Sequence, residues 1–273
     1  MILFVYSIMA LSSFFVSIYH SFTVNIMQPR ERFDACMTEE LIDLLDGLHF
    51  HTLCEQNTDA LLTTWAAVER RFGDILPKLR WINMGGGHHI TRADYDKESL
   101  IGLIRRVRER WNVEVYLEPG EAVALNAGYF LTRVLDVVYN EDAAIAVLDA
   151  SAACHMPDVL EMPYQPPLLD AVKAGFAPLP GKGAEGYTYI LGGPTCLSGD
   201  VMGAYTFPRV LNEGDLLIFG DMAIYTTCKN NTFNGMPLPS IYQLTQTGDC
   251  RLLKAFGYED FRARLGTNRT AAR

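Results

Sequence analysis

Short apolar runs alternate with longer amphipathic runs in the first half of the chain. Apolar runs at 48–52, 79–83 and 113–117 predict strands, and the segments between them, about 59–72 and 97–111, carry apolar residues at helical spacing and predict helices. The order strand, helix, strand, helix, strand is typical of a parallel sheet. The first half is therefore predicted to be an α/β structure.

The pattern changes from about residue 128 onward. Apolar runs at 132–138, 144–149, 187–191 and 215–219 predict strands, and loops rich in proline and glycine separate them. No helix of comparable length is predicted among these strands. The second half is therefore predicted to be a β domain.

Residues 1–35 form an apolar leader that fits neither half. Met1 to Tyr19 is long and apolar enough to resemble a membrane span or the core of a signal peptide. No lysine or arginine precedes Arg30, and no clean small-residue cleavage site follows. A genuine anchor, an unusual signal and translated upstream sequence on an incomplete reading frame all stay open. The third is favoured, so a membrane is expected as a partner only if the leader is genuine.

Composition narrows the class of protein. The 273 residues are 49% apolar and carry a net charge of −9, which indicates a globular chain and argues against nucleic acid as a partner. The six cysteines show no C-x-x-C pair, and His49, His51, His88 and His89 lack the spacing of metal ligands. We therefore expect a cytoplasmic protein without a metal.

Three glycine-containing segments carry the candidate chemistry. Gly85, Gly86 and Gly87 follow a strand directly, where backbone N–H groups without Cβ atoms can hold a phosphate, although a flexible turn is the alternative. Glu118 follows the next strand and precedes Pro119-Gly120, which places it at the carboxyl ends of the parallel strands. A third segment, 191–200, contains a cysteine and an acid. Together these segments indicate a phosphate-binding site with an acid beside it.

With Gly47–His51 upstream and Asp221–Thr226 downstream, the motifs resemble the alanine-racemase-like (fold type III) pyridoxal-phosphate decarboxylases, which include ornithine and diaminopimelate decarboxylases. The strings GLHFHTLCEQ, WINMGGGHHIT, LEPGEAV, CHMPDVLEMPY and GGPTCLSGD resemble the carboxynorspermidine (carboxyspermidine) decarboxylase branch. The resemblance implies an α/β plus β fold: the last three strands of a β/α barrel, with the cofactor site, in residues 36–127, and a C-terminal β-sandwich or barrel-like domain in residues 128–273. It also implies decarboxylation of carboxynorspermidine or carboxyspermidine in polyamine biosynthesis.

The resemblance assigns the pyridoxal 5'-phosphate contacts. His51 would stack on the cofactor ring, although a strand histidine is more often structural. Gly85, Gly86, Gly87 and Tyr225 would bind the phosphate. Glu118 would keep the pyridine nitrogen protonated, because a carboxylate favours the charged ring, and this makes the cofactor an electron sink.

The resemblance also implies a homodimer with shared active sites. Cys196 would donate a proton to Cα from the partner subunit, and Asp200 would face the same site and the distal cation of the substrate. The alternative for Cys196 is a small buried apolar residue, the commonest fate of a free cysteine.

Acids are the expected partners of a carboxylated polyamine, because its ammonium groups require carboxylates around them. Asp158 and Glu161 lie in a segment that contacts the far amine in related decarboxylases. Glu121 stands where many relatives have arginine, and an acid there would suit an amine better than a phosphate. A solvated acidic surface is the alternative for each of these residues.

The family lysine that binds the cofactor covalently is not assigned to any lysine of this chain. Lys182 lies in a predicted β-domain loop, and Lys78, Lys97 and Lys229 are expected at the surface. We therefore expect an N-terminally incomplete enzyme, inactive without its lysine-bearing half. Another amino-acid decarboxylase or racemase on the same scaffold, and a non-catalytic ligand-binding homologue, are the alternatives.

Overall fold

The computed structural model describes residues 15–16, 22–25, 33–34, 37–53, 55–140, 143–175 and 186–266. The chain divides into two compact units, Met1–Val123 and Ala124–Arg273. Within the described ranges, no helix combines the length and the apolar character needed to cross a membrane. Most of the apolar leader and the Lys182 loop lie outside these ranges.

The first unit contains a five-stranded sheet. Its strands, in order across the sheet, are β1 (Phe15–Val16), β2 (Phe22–Asn25), β3 (Gly47–His49), β4 (Trp81–Asn83) and β5 (Glu114–Tyr116). Strands β2 to β5 are parallel, and β1 is antiparallel to β2. The three predicted parallel strands are confirmed. The sheet is larger than predicted, because a fourth parallel strand, β2, comes from the apolar leader.

Helices connect these strands. They are α1 (Glu39–Ile42), α2 (Thr58–Phe72), α3 (Lys97–Trp111) and α4 (Gly120–Ala124). Buried residues recur at helical spacing in α2 and α3, as the sequence predicts, and they pack in a core that also includes Leu48, Phe50 and Ile82. The two long helices and the strands that they connect form βαβ units, so the predicted α/β class is confirmed.

The second unit contains a six-stranded sheet in the order β11, β6, β7, β9, β10, β8. The bounds are β6 (Phe130–Tyr139), β7 (Ala144–Leu148), β8 (Val172–Lys173), β9 (Tyr187–Gly192), β10 (Val201–Phe207) and β11 (Leu216–Phe219). Only the β7–β9 pair is parallel among these described strands. Four of them were predicted. The short strand β8 and strand β10 were not predicted, and β10 contains Met202, Ala204, Tyr205 and Phe207 of the core.

Short elements complete the second unit. They are α5 (Ala152–His155), α6 (Asp158–Glu161), α7 (Thr226–Lys229), the hairpin of β12 (Ile241–Leu244) and β13 (Cys250–Lys254), and α8 (Tyr258–Arg264). A 3-10 turn, Phe233–Gly235, follows α7. The loop between β9 and β10 contains the predicted proton donor, and α6 contains two of the predicted substrate acids.

Candidate active site

His51, the glycine turn and Glu118 meet at the carboxyl ends of β3, β4 and β5. Backbone hydrogen bonds continue beyond the strands: Phe50 N–H donates to Asn83 O at 3.0 Å, and Met84 N–H donates to Tyr116 O at 2.9 Å. The N–H of Glu118 then donates to Gly85 O at 2.8 Å. The parallel register therefore brings together three segments that lie about 35 residues apart in sequence.

The turn 85–87 requires glycine. Gly85 and Gly87 have φ angles of +72° and +80°, a region that disfavours residues with a Cβ. A Cβ on Gly86 would lie 2.8 Å from Glu118 O and 2.9 Å from His51 Cε1. The turn can therefore approach both neighbours only because it lacks side chains.

Glu118 has three polar neighbours. Its Oε1 accepts a hydrogen bond from Asn83 Nδ2 at 2.8 Å, and its Oε2 lies 3.6 Å from His49 Nε2 and 3.8 Å from His51 Nδ1. The His49 ring lowers the pKa of the Glu118 carboxyl, and so does the hydrogen bond from Asn83. Burial acts in the opposite direction but does not outweigh them. Glu118 is thus an ionised acid whose side chain is 38% exposed at the edge of the sheet.

The two histidines beside Glu118 differ in their surroundings. His51 lies just past β3, because the predicted strand 48–52 ends at His49. Its Nδ1 accepts from the N–H of Gly86 at 3.4 Å, and its side chain is 38% exposed. His49 is less exposed, and its Nε2 is buried without a hydrogen-bond partner among the described residues. His51 is therefore the ring that a ligand can reach.

Glu121 has a partner that the sequence analysis did not predict. Its Oε2 lies 3.1 Å from Nε2 of His89, a ring that is buried beside the first turn of α4. The neighbouring His88 is also buried, with Nε2 3.2 Å from Met84 O, and burial lowers the pKa of its imidazole. The part of the chain that the structure describes has no group of three or more His, Cys, Asp or Glu arranged for a metal ion.

Cys196 lies in an exposed loop of the second unit, between β9 and β10. Its thiol is free, and its backbone N–H donates to Asn234 Oδ1 at 3.0 Å. Asn234 has a φ of +55° in the turn after α7. Cys196 therefore lies at the surface of the second unit.

Asp200 is placed inside this loop and not at its surface. It is 3% exposed, and its carboxylate accepts from Ser151 Oγ at 2.9 Å, Thr195 Oγ1 at 2.6 Å and Ala153 N at 3.1 Å. These donors use both carboxylate oxygens. In this chain Asp200 thus fixes the Cys196 loop to α5, a role that differs from the predicted contact with a substrate cation.

Asp200→Ala is expected to destabilise the second unit by about 3 kcal/mol, because several buried donors lose a charged acceptor. Urea unfolding of the full chain measures this change. Glu213→Ala is the control, since Glu213 is an exposed acid of the same unit, and its effect should stay below about 0.5 kcal/mol. Equal midpoints for the two variants would contradict the role given to Asp200.

Asp158 and Glu161 share an ammonium from their own chain. Lys229 Nζ lies 2.5 Å from Asp158 Oδ1 and 2.6 Å from Glu161 Oε2. Burial disfavours the Lys229 ammonium, but its hydrogen bonds to Asp158 and Glu161 outweigh burial and raise its pKa. Lys229 is thus a partly exposed residue, as expected, and its two acidic partners were not predicted from the sequence. The two acids form an ammonium-binding pair.

Tyr225 lies directly before α7. Its φ of +51° is uncommon for a residue with a side chain, and its ring is 45% exposed. Lys229 Nζ lies 5.4 Å from the centre of this ring. The predicted phosphate contact of Tyr225 stays a prediction, as do the roles of Cys196, Asp158 and Glu161, all in the second unit.

The two lysines in the described part of the first unit lie away from strand ends. Lys78 is the last residue of a 3-10 turn, Leu76–Lys78, and pairs with Asp43 at 2.5 Å, and Lys97 begins α3. Neither lysine is therefore assigned as the family lysine that binds the cofactor covalently.

Comparisons with known proteins agree with this fold and identify the family. A family model described as the pyridoxal-dependent decarboxylase C-terminal sheet domain matches residues 3–223. The chain belongs to the pyridoxal-dependent decarboxylase family.

Within this family, the chain is similar to enzymes of polyamine biosynthesis. It is 40% identical over 230 residues to the carboxynorspermidine/carboxyspermidine decarboxylase of Campylobacter jejuni, covering 82% of this chain and 60% of that protein. It is 41% identical over 223 residues to the carboxyaminopropylagmatine decarboxylase of Synechocystis, covering 81% of this chain and 56% of that protein. The chain thus spans less than two thirds of the length of these relatives.

A solved structure gives the same result. The chain superposes on carboxynorspermidine decarboxylase from Campylobacter jejuni, complexed with norspermidine, with a TM-score of 0.74 and 39% identity. The match covers 86% of this chain and 64% of that one. The fold class and the family branch predicted from the sequence motifs are therefore confirmed.

Proposed function

We propose that this chain supplies cofactor and substrate contacts of a decarboxylase that converts carboxynorspermidine or carboxyspermidine to norspermidine or spermidine, with pyridoxal 5'-phosphate as cofactor. The observation that carries the proposal is the meeting of Glu118, His51 and the glycine turn at one edge of the first sheet. The similarity to polyamine-pathway decarboxylases supports the substrate class.

The residues present fit this cofactor. The turn 85–87 has no Cβ atoms, so a phosphate can approach its backbone closely. An ionised carboxylate and an accessible imidazole lie beside that turn, as an aromatic ring with a protonated nitrogen requires. The phosphate group and the ring of one small molecule can therefore each find a complementary partner.

Each residue of this edge then has one task. When bound, pyridoxal phosphate supplies an electron-withdrawing ring that stabilises the negative charge left on Cα after CO₂ departs. Glu118 would accept a hydrogen bond from the ring nitrogen and favour its protonated form, since the lowered pKa of its carboxyl keeps it ionised near neutral pH. His51 would contact the ring, and Gly85, Gly86 and Gly87 would hold the phosphate, with Tyr225 as a further donor.

The second unit provides the proton and the substrate acids in this proposal. The S–H bond of Cys196 breaks as a C–H bond forms at Cα, and solvent later returns a proton to the thiolate. Because the Cys196 loop is exposed, it can reach the site of a partner subunit in a cytoplasmic homodimer. Asp200 holds this loop, so we assign it no direct substrate contact.

Substrate ammonium groups are matched by Glu121, Asp158 and Glu161. Lys229 neutralises one of the two charges on Asp158 and Glu161, so the pair keeps one net negative charge for a distal cation. Carboxyaminopropylagmatine is a second candidate substrate, because the identity to its decarboxylase is as high as to the carboxynorspermidine enzyme. Comparing the two substrates at equal concentration separates these candidates.

Binding of the cofactor tests the proposal without requiring turnover. Isothermal titration of the full chain should give tighter binding of pyridoxal 5'-phosphate than of pyridoxal, because only the former reaches the glycine turn. Gly86→Ala should weaken pyridoxal phosphate binding about tenfold or more, since its Cβ would displace His51 or Glu118. Gly102→Ala in α3 is the control, because its Cβ would meet only the flexible end of the Arg106 side chain, at 3.4 Å. Equal affinities for the two ligands would contradict the proposal.

A further inference from the structure

The side chain of Asn83, the last residue of β4, contacts both parts of the proposed cofactor site. Its Nδ2 donates to Oε1 of Glu118 at 2.8 Å, and its Oδ1 accepts from the N–H of Gly85 at 2.9 Å. The backbone N–H of Gly85 can only donate, so Oδ1 must face it, and this leaves Nδ2 for Glu118. The orientation of the amide is thereby fixed by its partners.

The two contacts are linked by covalent geometry. Oδ1 and Nδ2 share one planar carboxamide, so Glu118 cannot shift relative to Gly85 without breaking one of them. A carboxylate in place of Asn83 could still accept from Gly85, but it would lie against Glu118 with the same charge. An amide therefore serves both contacts, whereas an acid serves only one.

The other charged or titratable neighbours of Glu118 act on its second oxygen or from farther away. His49 and His51 both approach Oε2, at 3.6 and 3.8 Å. His88 interacts with Glu118 only through longer-range charge. Asn83 is the neighbour that holds Oε1, and it alone among these groups stays neutral at every pH.

We propose that Asn83 is a positioning residue that holds the Glu118 carboxylate at a fixed place relative to the glycine turn, so that the two ends of one ligand meet their partners together. The identity of that ligand as pyridoxal phosphate depends on the proposed function. The link between Asn83, Glu118 and Gly85 is a property of the chain itself.

Titration of Glu118 in the cofactor-free full chain tests the first contact. NMR of protein labelled with ¹³C at the glutamate carboxyl groups follows the signal that disappears in Glu118→Gln. A donor to the ionised carboxylate lowers its pKa, so Asn83→Ala should raise the Glu118 pKa by about one unit. A purely structural role of Asn83 in the turn would not move this pKa.

Amide hydrogen exchange at Gly85 tests the second contact and separates the two. Asn83→Ala should speed exchange at Gly85 about tenfold or more, because the acceptor is lost. Asn83→Asp should keep the Gly85 amide protected, because it retains the acceptor. It should raise the Glu118 pKa more than Asn83→Ala does, because it removes the donor and also adds a negative charge beside the carboxylate. If Asn83→Ala does not fold by circular dichroism, Asn83→Asp still gives the carboxyl pKa.

Asn57→Ala is the matched control. Asn57 accepts from the N–H groups of Thr58 and Asp96 and donates to Asp94 O, at 2.8, 2.9 and 3.0 Å, so it also makes contacts with both ends of its amide. Its replacement should leave the Glu118 pKa unchanged. An unchanged Glu118 pKa in folded Asn83→Ala or Asn83→Asp would overturn the inference.

A parallel titration with pyridoxal 5'-phosphate keeps the two proposals separate. Failure of the wild-type chain to bind this compound would contradict the proposed function and leave the Asn83 shifts standing. Binding without any effect of Asn83 on the Glu118 pKa would contradict this inference alone. If both hold, the Asn83 variants should bind pyridoxal phosphate about tenfold or more weakly.

Discussion

In an active decarboxylase that contains this chain together with the lysine that binds the cofactor, Glu118→Gln is expected to lower the kcat for decarboxylation of carboxynorspermidine by about 100-fold. This is the size of effect found when one preorganised group that stabilises transition-state charge is removed. Glutamine has nearly the same shape and can still accept from Asn83, so the change removes the charge with little effect on packing. Without that charge, the ring nitrogen of the cofactor is less often protonated, and the carbanion at Cα is less stable. CO₂ release at saturating substrate measures the effect.

Glu114→Gln is the control for this substitution. Glu114 lies on β5, four residues before Glu118, and accepts from Tyr116 Oη at 2.6 Å on the exposed side of the strand. Its replacement should leave kcat unchanged. If Glu118→Gln turned over substrate as fast as Glu114→Gln, the proposed contact between Glu118 and the ring nitrogen would be wrong.

Cys196→Ala should lower the yield of norspermidine more than the release of CO₂. CO₂ departs before the proton is needed at Cα, so loss of the donor slows or misdirects protonation, by about 100-fold for a typical general acid. Binding of pyridoxal phosphate should be retained. Simultaneous assay of CO₂ and of the amine product separates these steps.

Cys228→Ala is the matched control, because Cys228 is also a free, exposed cysteine of the second unit. It should leave the yields of CO₂ and of the amine product equal.

The dimer is tested by mixing the Cys196→Ala protein with the Glu118→Gln protein. If sites are shared between subunits, a mixed dimer contains one intact site, and the mixture should recover about a quarter of wild-type activity. No recovery would contradict the shared site.

Helices and strands whose signals lie within one short segment were predicted from the sequence. The helices 59–72 and 97–111 agree with α2 and α3 within a residue, because their apolar spacing and caps are encoded in the segment itself. Strand β10 was missed, since a run such as Val201–Phe207 after a glycine-rich loop has no strict alternation and is buried on both faces. Strand β2 was missed because the apolar leader around it resembled a span.

In the candidate site too, residues marked by a local motif were predicted, and those that depend on tertiary contacts were not. Glu118 and the three glycines were found because each follows a strand, and parallel strands end at one edge. The partners of the predicted acids were not found, because His89, Lys229 and Ser151 reach them through tertiary contacts. His49, two residues before His51, and Asn83, two residues before Gly85, had a usable signal, because residues close to a motif at a strand end share its environment.

The most direct test of the account is a crystal structure of the chain with pyridoxal 5'-phosphate. The phosphate should lie against the backbone of residues 85–87, the ring beside His51, and the ring nitrogen within hydrogen-bonding distance of a Glu118 carboxylate oxygen. A cofactor bound elsewhere, or one whose ring nitrogen faces away from Glu118 while its phosphate leaves the glycine turn empty, would contradict it.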